Sequence, residues 1–254
     1  MGDSFTEGVG DELPSGELRG WADLVALGLA VASAAPVEYA NLAIRGKLLR
    51  PIVDGQLDPA LALGPDLLSI CGGGNDVMRP RVEIPAVVDL LESVVDQALE
   101  RGAHVLMLTG GNPTRHLPLG SLIQRRGDRL ADAARERFTR PGVTYVDNWV
   151  DPELALLRYW SSDHLHLNAR GHARVASNAL TALGLPVPGE FVEGASGPTA
   201  ATRVRTPAYY REHVLPWIGR RLTGRSSGDG RSAKRPALVP AQPPTSPPRP
   251  DAGR

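Results

Sequence analysis

Near the start of the chain a Gly-Asp-Ser turn carries the hydroxyl of Ser4, and far along it, in "SSDHLHLNARGHARVA", Asp163 precedes His166 by three residues. That spacing lets one loop present a carboxylate and an imidazole side by side. A serine hydroxyl is a poor nucleophile at neutral pH, so His166 would accept its proton during attack and return it to the leaving group. Asp163 would hold the imidazole in the useful tautomer and stabilise its charged form. Acyl transfer also needs donors for the oxygen on which negative charge develops. The backbone N–H groups of Ser4 and Gly46 and the side-chain amide of Asn75 are the candidates.

Residues this far apart in sequence can meet only if the fold gathers them. Four short, nearly continuous apolar runs are expected strands: Val37 to Ile44, Leu67 to Gly73, His104 to Gly111 and Val143 to Trp149. Amphipathic stretches at Leu18 to Ser33, Ile84 to Arg101, Leu119 to Phe138 and Ala169 to Leu183 are expected helices. In the second of these, Val87, Val88, Leu91, Val94, Val95 and Leu99 recur at helical spacing and mark a buried face. Strands alternating with helices predict an α/β fold with a parallel sheet covered on both faces. Ligands collect at the carboxyl ends of such strands. There the sequence places Asn41 and Gly46, "GGGND" (Gly72 to Asp76), "GGNP" (Gly110 to Pro113) and the Asp163 loop.

Composition narrows the field. The chain has 254 residues, 42% hydrophobic, enough for one globular domain and some extra length. Lys plus Arg and Asp plus Glu both number 28, so no overall field favours nucleic acid or a membrane surface. A single cysteine, Cys71, excludes an internal disulfide framework and a Cys-based zinc site, and it fits a reducing, cytoplasmic setting. No apolar run reaches the roughly 18 residues of a membrane span. Past Leu183 the pattern fades. Residues 186–223 read as a linker with an amphipathic helix from Pro207 to Leu222. Residues 224–254, Pro-rich and basic, read as a disordered tail.

"GDSFTEG", "NLAIRG", "GGGND" and "DHLHLN" together, in this order, resemble the four blocks of the SGNH hydrolases, the GDSL-type esterase and lipase family. The resemblance runs from Gly2 to about Leu183, within an expected domain of residues 1–185. It implies a flavodoxin-like three-layer α/β/α fold, no metal and no organic cofactor. Carried over by position, it makes Ser4 the nucleophile, His166 the base paired with Asp163, and Ser4, Gly46 and Asn75 the oxyanion donors. The implied activity is hydrolysis of a small-molecule ester through an acyl-enzyme. Short-chain or acetyl esters are favoured because no long apolar lid is evident. Acyltransferase and thioesterase chemistry would use the same residues. A non-catalytic binding protein on the same fold is the alternative from another class, and reactivity of Ser4 separates the two.

Other readings compete at single residues. "MGDSFT" satisfies the M-G-x-x-x-[ST] myristoylation pattern. His164, His166 and His172 lie close enough in sequence to invite zinc, although an extended segment would point His164 away from His166. The glycines of "GGGND" do not meet G-x-G-x-x-G, which disfavours a dinucleotide loop. Asp76 is expected to hold the loop that carries Asn75, His172 to cap or pack in the helix that follows, and Trp160 either to line the acyl pocket or to fill the core. A nucleophile of this type normally ends the first strand, yet only Met1 and Gly2 precede the turn. The first strand is therefore expected to be truncated, with neighbouring strands left short of backbone partners.

Overall fold

Apolar runs flanked by amphipathic helices bury both faces of a sheet, and the computed structural model, which describes residues 1–117, 119–194, 211–212 and 226–241, has this arrangement. In chain order the elements are α1 (Ser4–Glu7), α2 (Trp21–Ala32), β1 (Glu38–Asn41), α3 (Leu49–Ala62), β2 (Leu67–Ile70), α4 (Gly74–Val77), α5 (Ile84–Glu100), β3 (His104–Leu108), α6 (Gly120–Phe138), β4 (Val143–Val146), α7 (Ala169–Ala182), α8 (Gly189–Gly194) and β5 (Arg235–Pro240). Strands β2, β3 and β4 form a parallel sheet in that order, with Leu68 opposite Val105 and Val105 opposite Val143.

The pleat sorts the core into two. Val105 and Met107 of β3 face one cluster, filled by Leu49 and Ile52 of α3, Leu91 and Val95 of α5, and Phe138 of α6. Leu106 and Leu108 face the other, filled by Trp21 and Leu24 of α2 and by Val175 and Ala179 of α7. Successive side chains of a strand point to opposite faces, so these two clusters are the two interlayers of a three-layer α/β/α fold.

Three expectations need correction. The first apolar run is not a member of the parallel sheet: β1 is shorter than expected and pairs antiparallel with β5. Between β1 and β2 the described residues place only Met1 and Gly2. The Met1 carbonyl accepts from Cys71 N at 3.4 Å and the Gly2 carbonyl from Ile44 N at 3.3 Å. Among the described residues β1 has no ladder with a strand of the parallel sheet, and its ladder is with β5.

The second concerns part of the expected disordered tail, because residues 226–241 contain β5, while the rest of it, 224–225 and 242–254, lies outside the described residues. Pro236 and Pro240 lack N–H groups, which an edge strand tolerates and a central one does not. The third is α3, absent from the sequence reading. Its apolar positions Leu49, Ile52, Leu57, Ala60 and Leu61 follow helical spacing, but Pro51, Gly55 and Pro59 interrupt the local signal. Of the helix expected from Pro207 to Leu222, all but two residues lie outside the described ones. Among the described residues no helix is long and apolar enough to cross a membrane.

Candidate active site

Ser4 opens α1, a single turn fixed at both ends. Asp3 caps it, its Oδ1 accepting from Phe5 N at 3.0 Å, and Gly8 closes it with its N–H on the Ser4 carbonyl. Helix α1 is held from three sides. Asn41, at the end of β1, donates from Nδ2 to the Thr6 carbonyl at 2.9 Å. Glu7, buried, accepts from Arg45 N at 2.6 Å and from the Arg45 guanidinium at 2.6 Å. Gln56 of α3 brackets Gly2, accepting from its N–H at 2.8 Å and donating to its carbonyl at 2.9 Å.

The Glu7–Arg45 pair fixes the residue before Gly46, which sits at φ 73°. That left-handed conformation suits glycine. Asn75 stands on α4 after Gly73 and Gly74. Its Nδ2 donates to Asp3 Oδ2 at 2.9 Å and to the Lys47 carbonyl at 3.0 Å, so both amide hydrogens are engaged. Asp76 Oδ2 accepts from Leu49 N at 2.9 Å and ties this loop to α3.

The Asp163 loop lies across from these groups. His166 Nδ1 donates to Asp163 Oδ2 at 2.5 Å. Asp163 Oδ1 accepts from Ser161 Oγ at 2.7 Å, Leu165 N at 2.9 Å and His166 N at 3.0 Å. Burial raises the Asp163 carboxyl, but the hydrogen bond and charge of His166 and the two backbone donors outweigh it and hold the group well below the usual carboxylate range. With Nδ1 committed to the carboxylate, Nε2 is the acceptor face of a neutral imidazole.

Asp3 behaves in the opposite way. Burial pushes it up to about 6 against the pull of Phe5 N–H, His166 and Asn75. Burial also pushes the Cys71 thiol well above its usual range, so it offers no competing nucleophile.

Ser4, Gly46, Asn75, Asp163 and His166 all line one cavity of about 320 Å3. One part of its wall is apolar, formed by Met107, Ile123, Leu130, Ala131 and Trp149. Trp160 both lines the cavity and packs in the core, its Nε1 donating to the Leu154 carbonyl at 2.8 Å. His164 is buried, its ring 6.3 Å from that of His116. His172 is fully buried on α7. Its Nδ1 accepts from Trp21 N at 3.2 Å and its Nε2 donates to the Val9 carbonyl at 3.2 Å, which ties the chain beyond α1 to the helix that follows His166. Burial lowers its pKa to about 4, consistent with a neutral bridge.

Sequence reasoning did not single out Glu7, Gln56 or the Ser226–Ser227 pair that also lines the cavity. Glu7 lies inside "GDSFTEG" and carried no signal of its own, and Gln56 sits on the helix that was missed.

A family model described as the GDSL-like Lipase/Acylhydrolase family matches residues 1–174. No curated protein sequence matches the chain. Among solved structures, the lipase Lip_vut3 from a goat rumen metagenome superposes with a TM-score of 0.59 at 16% identity, over 71% of this chain and 94% of that one. Axe2, an acetylxylan esterase from Geobacillus stearothermophilus, gives 0.55 at 20% identity, over 73% and 92%. TesA gives 0.53 at 23% identity, over 72% and 94%. At these identities the likeness is one of fold.

Proposed function

The chain belongs to the GDSL-like Lipase/Acylhydrolase family, and on that premise we propose that it is a serine esterase working through an acyl-enzyme on Ser4. The observation that carries this reading is the Asp163–His166 pair at 2.5 Å opening onto the same cavity as Ser4.

The Ser4 hydroxyl oxygen attacks the ester carbonyl carbon while its proton passes to His166 Nε2, and the carbonyl electrons move onto the oxygen. Asp163 stabilises the imidazolium so formed. Donors for the oxyanion are the N–H groups of Ser4 and Gly46 and the amide of Asn75. For Asn75 the bond to Asp3 must be exchanged for one to the oxyanion, a trade of one charged acceptor for another. Collapse of the intermediate breaks the bond to the alcohol oxygen, which leaves with the proton from His166. Water, activated by the same imidazole, then hydrolyses the Ser4 ester and releases the acid.

The apolar depth of the cavity supports the acyl side of the substrate. A carbon unit fills about the share of a water molecule in the liquid, near 30 Å3, so a chain of eight carbons needs roughly 240 Å3. The cavity of about 320 Å3 is shared between the catalytic groups and this apolar wall, and the short-chain and acetyl esters favoured from sequence need only part of it.

A fluorophosphonate probe tests the mechanism. It should leave a phosphonyl adduct on Ser4 by peptide mass spectrometry, absent from Ser4→Ala. An unlabelled Ser4 in folded protein refutes it and favours a non-catalytic binding module.

A further inference from the structure

The family match ends at residue 174, yet Ser226 and Ser227, far beyond it, line the cavity together with Ser4, Gly46 and His166. Their approach is close. A Cβ placed on Gly46 would lie 2.5 Å from Ser226 Oγ and 2.7 Å from Ser227 Oγ. The contact continues at Gly228, where a Cβ would lie 2.1 Å from the Arg45 carbonyl oxygen and 2.9 Å from Ile44 Cγ2. Segment 226–228 therefore sits against the turn that presents Gly46 with no room for a methyl group at either glycine.

This placement is anchored on several sides. The turn is closed internally by Ser226 N donating to Asp229 Oδ2 at 2.8 Å and Gly228 N donating to Ser226 Oγ at 3.1 Å. Downstream, Lys234 Nζ meets Asp23 Oδ2 at 2.6 Å, with side chains only 11% and 15% exposed. The Arg235 guanidinium lies 5.7 Å from the centre of the Tyr39 ring. Strand β5 then pairs along β1, ending where Ala241 N donates to the Val37 carbonyl at 2.8 Å. A partly buried ion pair, a cation over an aromatic face and a two-strand ladder hold residues 226–228 in register with Gly46.

The two halves of an ester diverge at its carbonyl carbon. With the acyl chain directed into the apolar depth beside Met107, Ile123 and Ala131, the alcohol is left on the side of Gly46, where the wall is Ser226 and Ser227. Ser226 Oγ already accepts from Gly228 N, whereas the Ser227 hydroxyl is exposed and has no hydrogen-bond partner among the described residues. We propose that segment 226–241 is a fixed wall of the active site on its alcohol side, and that the Ser227 hydroxyl selects esters whose alcohol carries hydroxyl groups of its own.

This rests on the serine-esterase reading, and the two can fail separately. The butyrate esters of glycerol and of propanol share an acyl group and a three-carbon alcohol and differ only in hydroxyls. Wild-type enzyme should prefer the glycerol ester in kcat/KM by about fivefold, the worth of one net hydrogen bond. Ser227→Ala should bring the ratio close to one. Lys234→Glu, which breaks the anchor without touching the cavity, should do the same, and Lys234→Arg should restore it. Deacylation involves only the butyryl group, because the alcohol has already left. Its rate, followed as decay of the Ser4 adduct by rapid-quench mass spectrometry, should therefore be unchanged in all variants.

A wild-type ratio near one, or a ratio that survives both Ser227→Ala and Lys234→Glu, overturns the proposal. So does a variant that slows acylation and deacylation alike, since that marks a merely structural segment. Absence of any Ser4 adduct removes the esterase reading instead.

Discussion

Replacing Asp163 by asparagine separates orientation of the histidine from the stability of its loop. Asp163 Oδ1 is surrounded by three donors, Ser161 Oγ and the N–H groups of Leu165 and His166, all within 3.0 Å. An asparagine at this position must turn its carbonyl oxygen toward them, because an amide NH2 there would face N–H groups and could not accept. The NH2 is then directed at His166 Nδ1, where the carboxylate oxygen now lies at 2.5 Å.

Two donors cannot share that contact, so the imidazole shifts its proton to Nε2 and loses the lone pair that accepts the Ser4 proton in the proposed mechanism. In a Ser-His-Asp arrangement the wrong tautomer reduces kcat by about 10^4, which corresponds to roughly 5 kcal/mol in the barrier. Stability should change little. The three bonds to Oδ1 survive, and the fourth, charge-assisted bond is exchanged for a neutral one from the amide to Nδ1, at a cost of about 1 kcal/mol, a fall of a few degrees in thermal midpoint for a domain of this size. Hydrolysis of p-nitrophenyl butyrate and calorimetry on the same preparations measure both quantities. A kcat loss below tenfold in folded Asp163→Asn would show that tautomer control by Asp163 is not how His166 is set.

Two further outcomes follow from the buried groups. Asp3 has its pKa raised from 3.8 to about 6 in the fold, so its ionisation opposes folding: the stability present below about pH 4 is lost as pH rises to about 6, by about 3 kcal/mol. His172, lowered to about 4, acts in the opposite sense, since its contribution is full above 6.5 and lost as pH falls toward 4. The wild-type profile mixes the two, so the measurement is the difference in urea unfolding free energy between Asp3→Asn and wild type at pH 4 and pH 7. It should move by about 3 kcal/mol in favour of the variant at the higher pH, and a difference independent of pH would contradict the burial of Asp3. Ala131→Phe narrows the apolar depth of the cavity and should lower kcat/KM for octanoate at least tenfold relative to acetate; an equal effect on both esters would place the acyl chain elsewhere.

The site was legible in sequence to the extent that its chemistry is local. Asp163 and His166 share one loop, and their spacing alone predicts that they can meet. Bringing Ser4 to them is a task for the sheet, and the apolar runs at β2, β3 and β4 were strong enough to predict it. What stayed hidden depends on pairing across long stretches of chain.

The α3 segment carries Pro51, Gly55 and Pro59, so its helical signal is weak taken alone, and its helicity comes from burial of Ile52 and Leu57 against the sheet. Gln56 went unnoticed with it, although that side chain brackets Gly2. Strand β5 was harder still. Arg235 to Pro240 holds two prolines and is exposed along most of its length, so its composition resembles that of an unstructured tail. Its place comes from pairing along β1, from the Arg235 guanidinium over the Tyr39 ring and from the ion pair of Lys234 with Asp23. None of these causes is written in the segment itself. The same limit applies to Asn75. Its residue type points to an oxyanion donor, while its engagement with Asp3 is visible only once residues 72 positions apart are in contact.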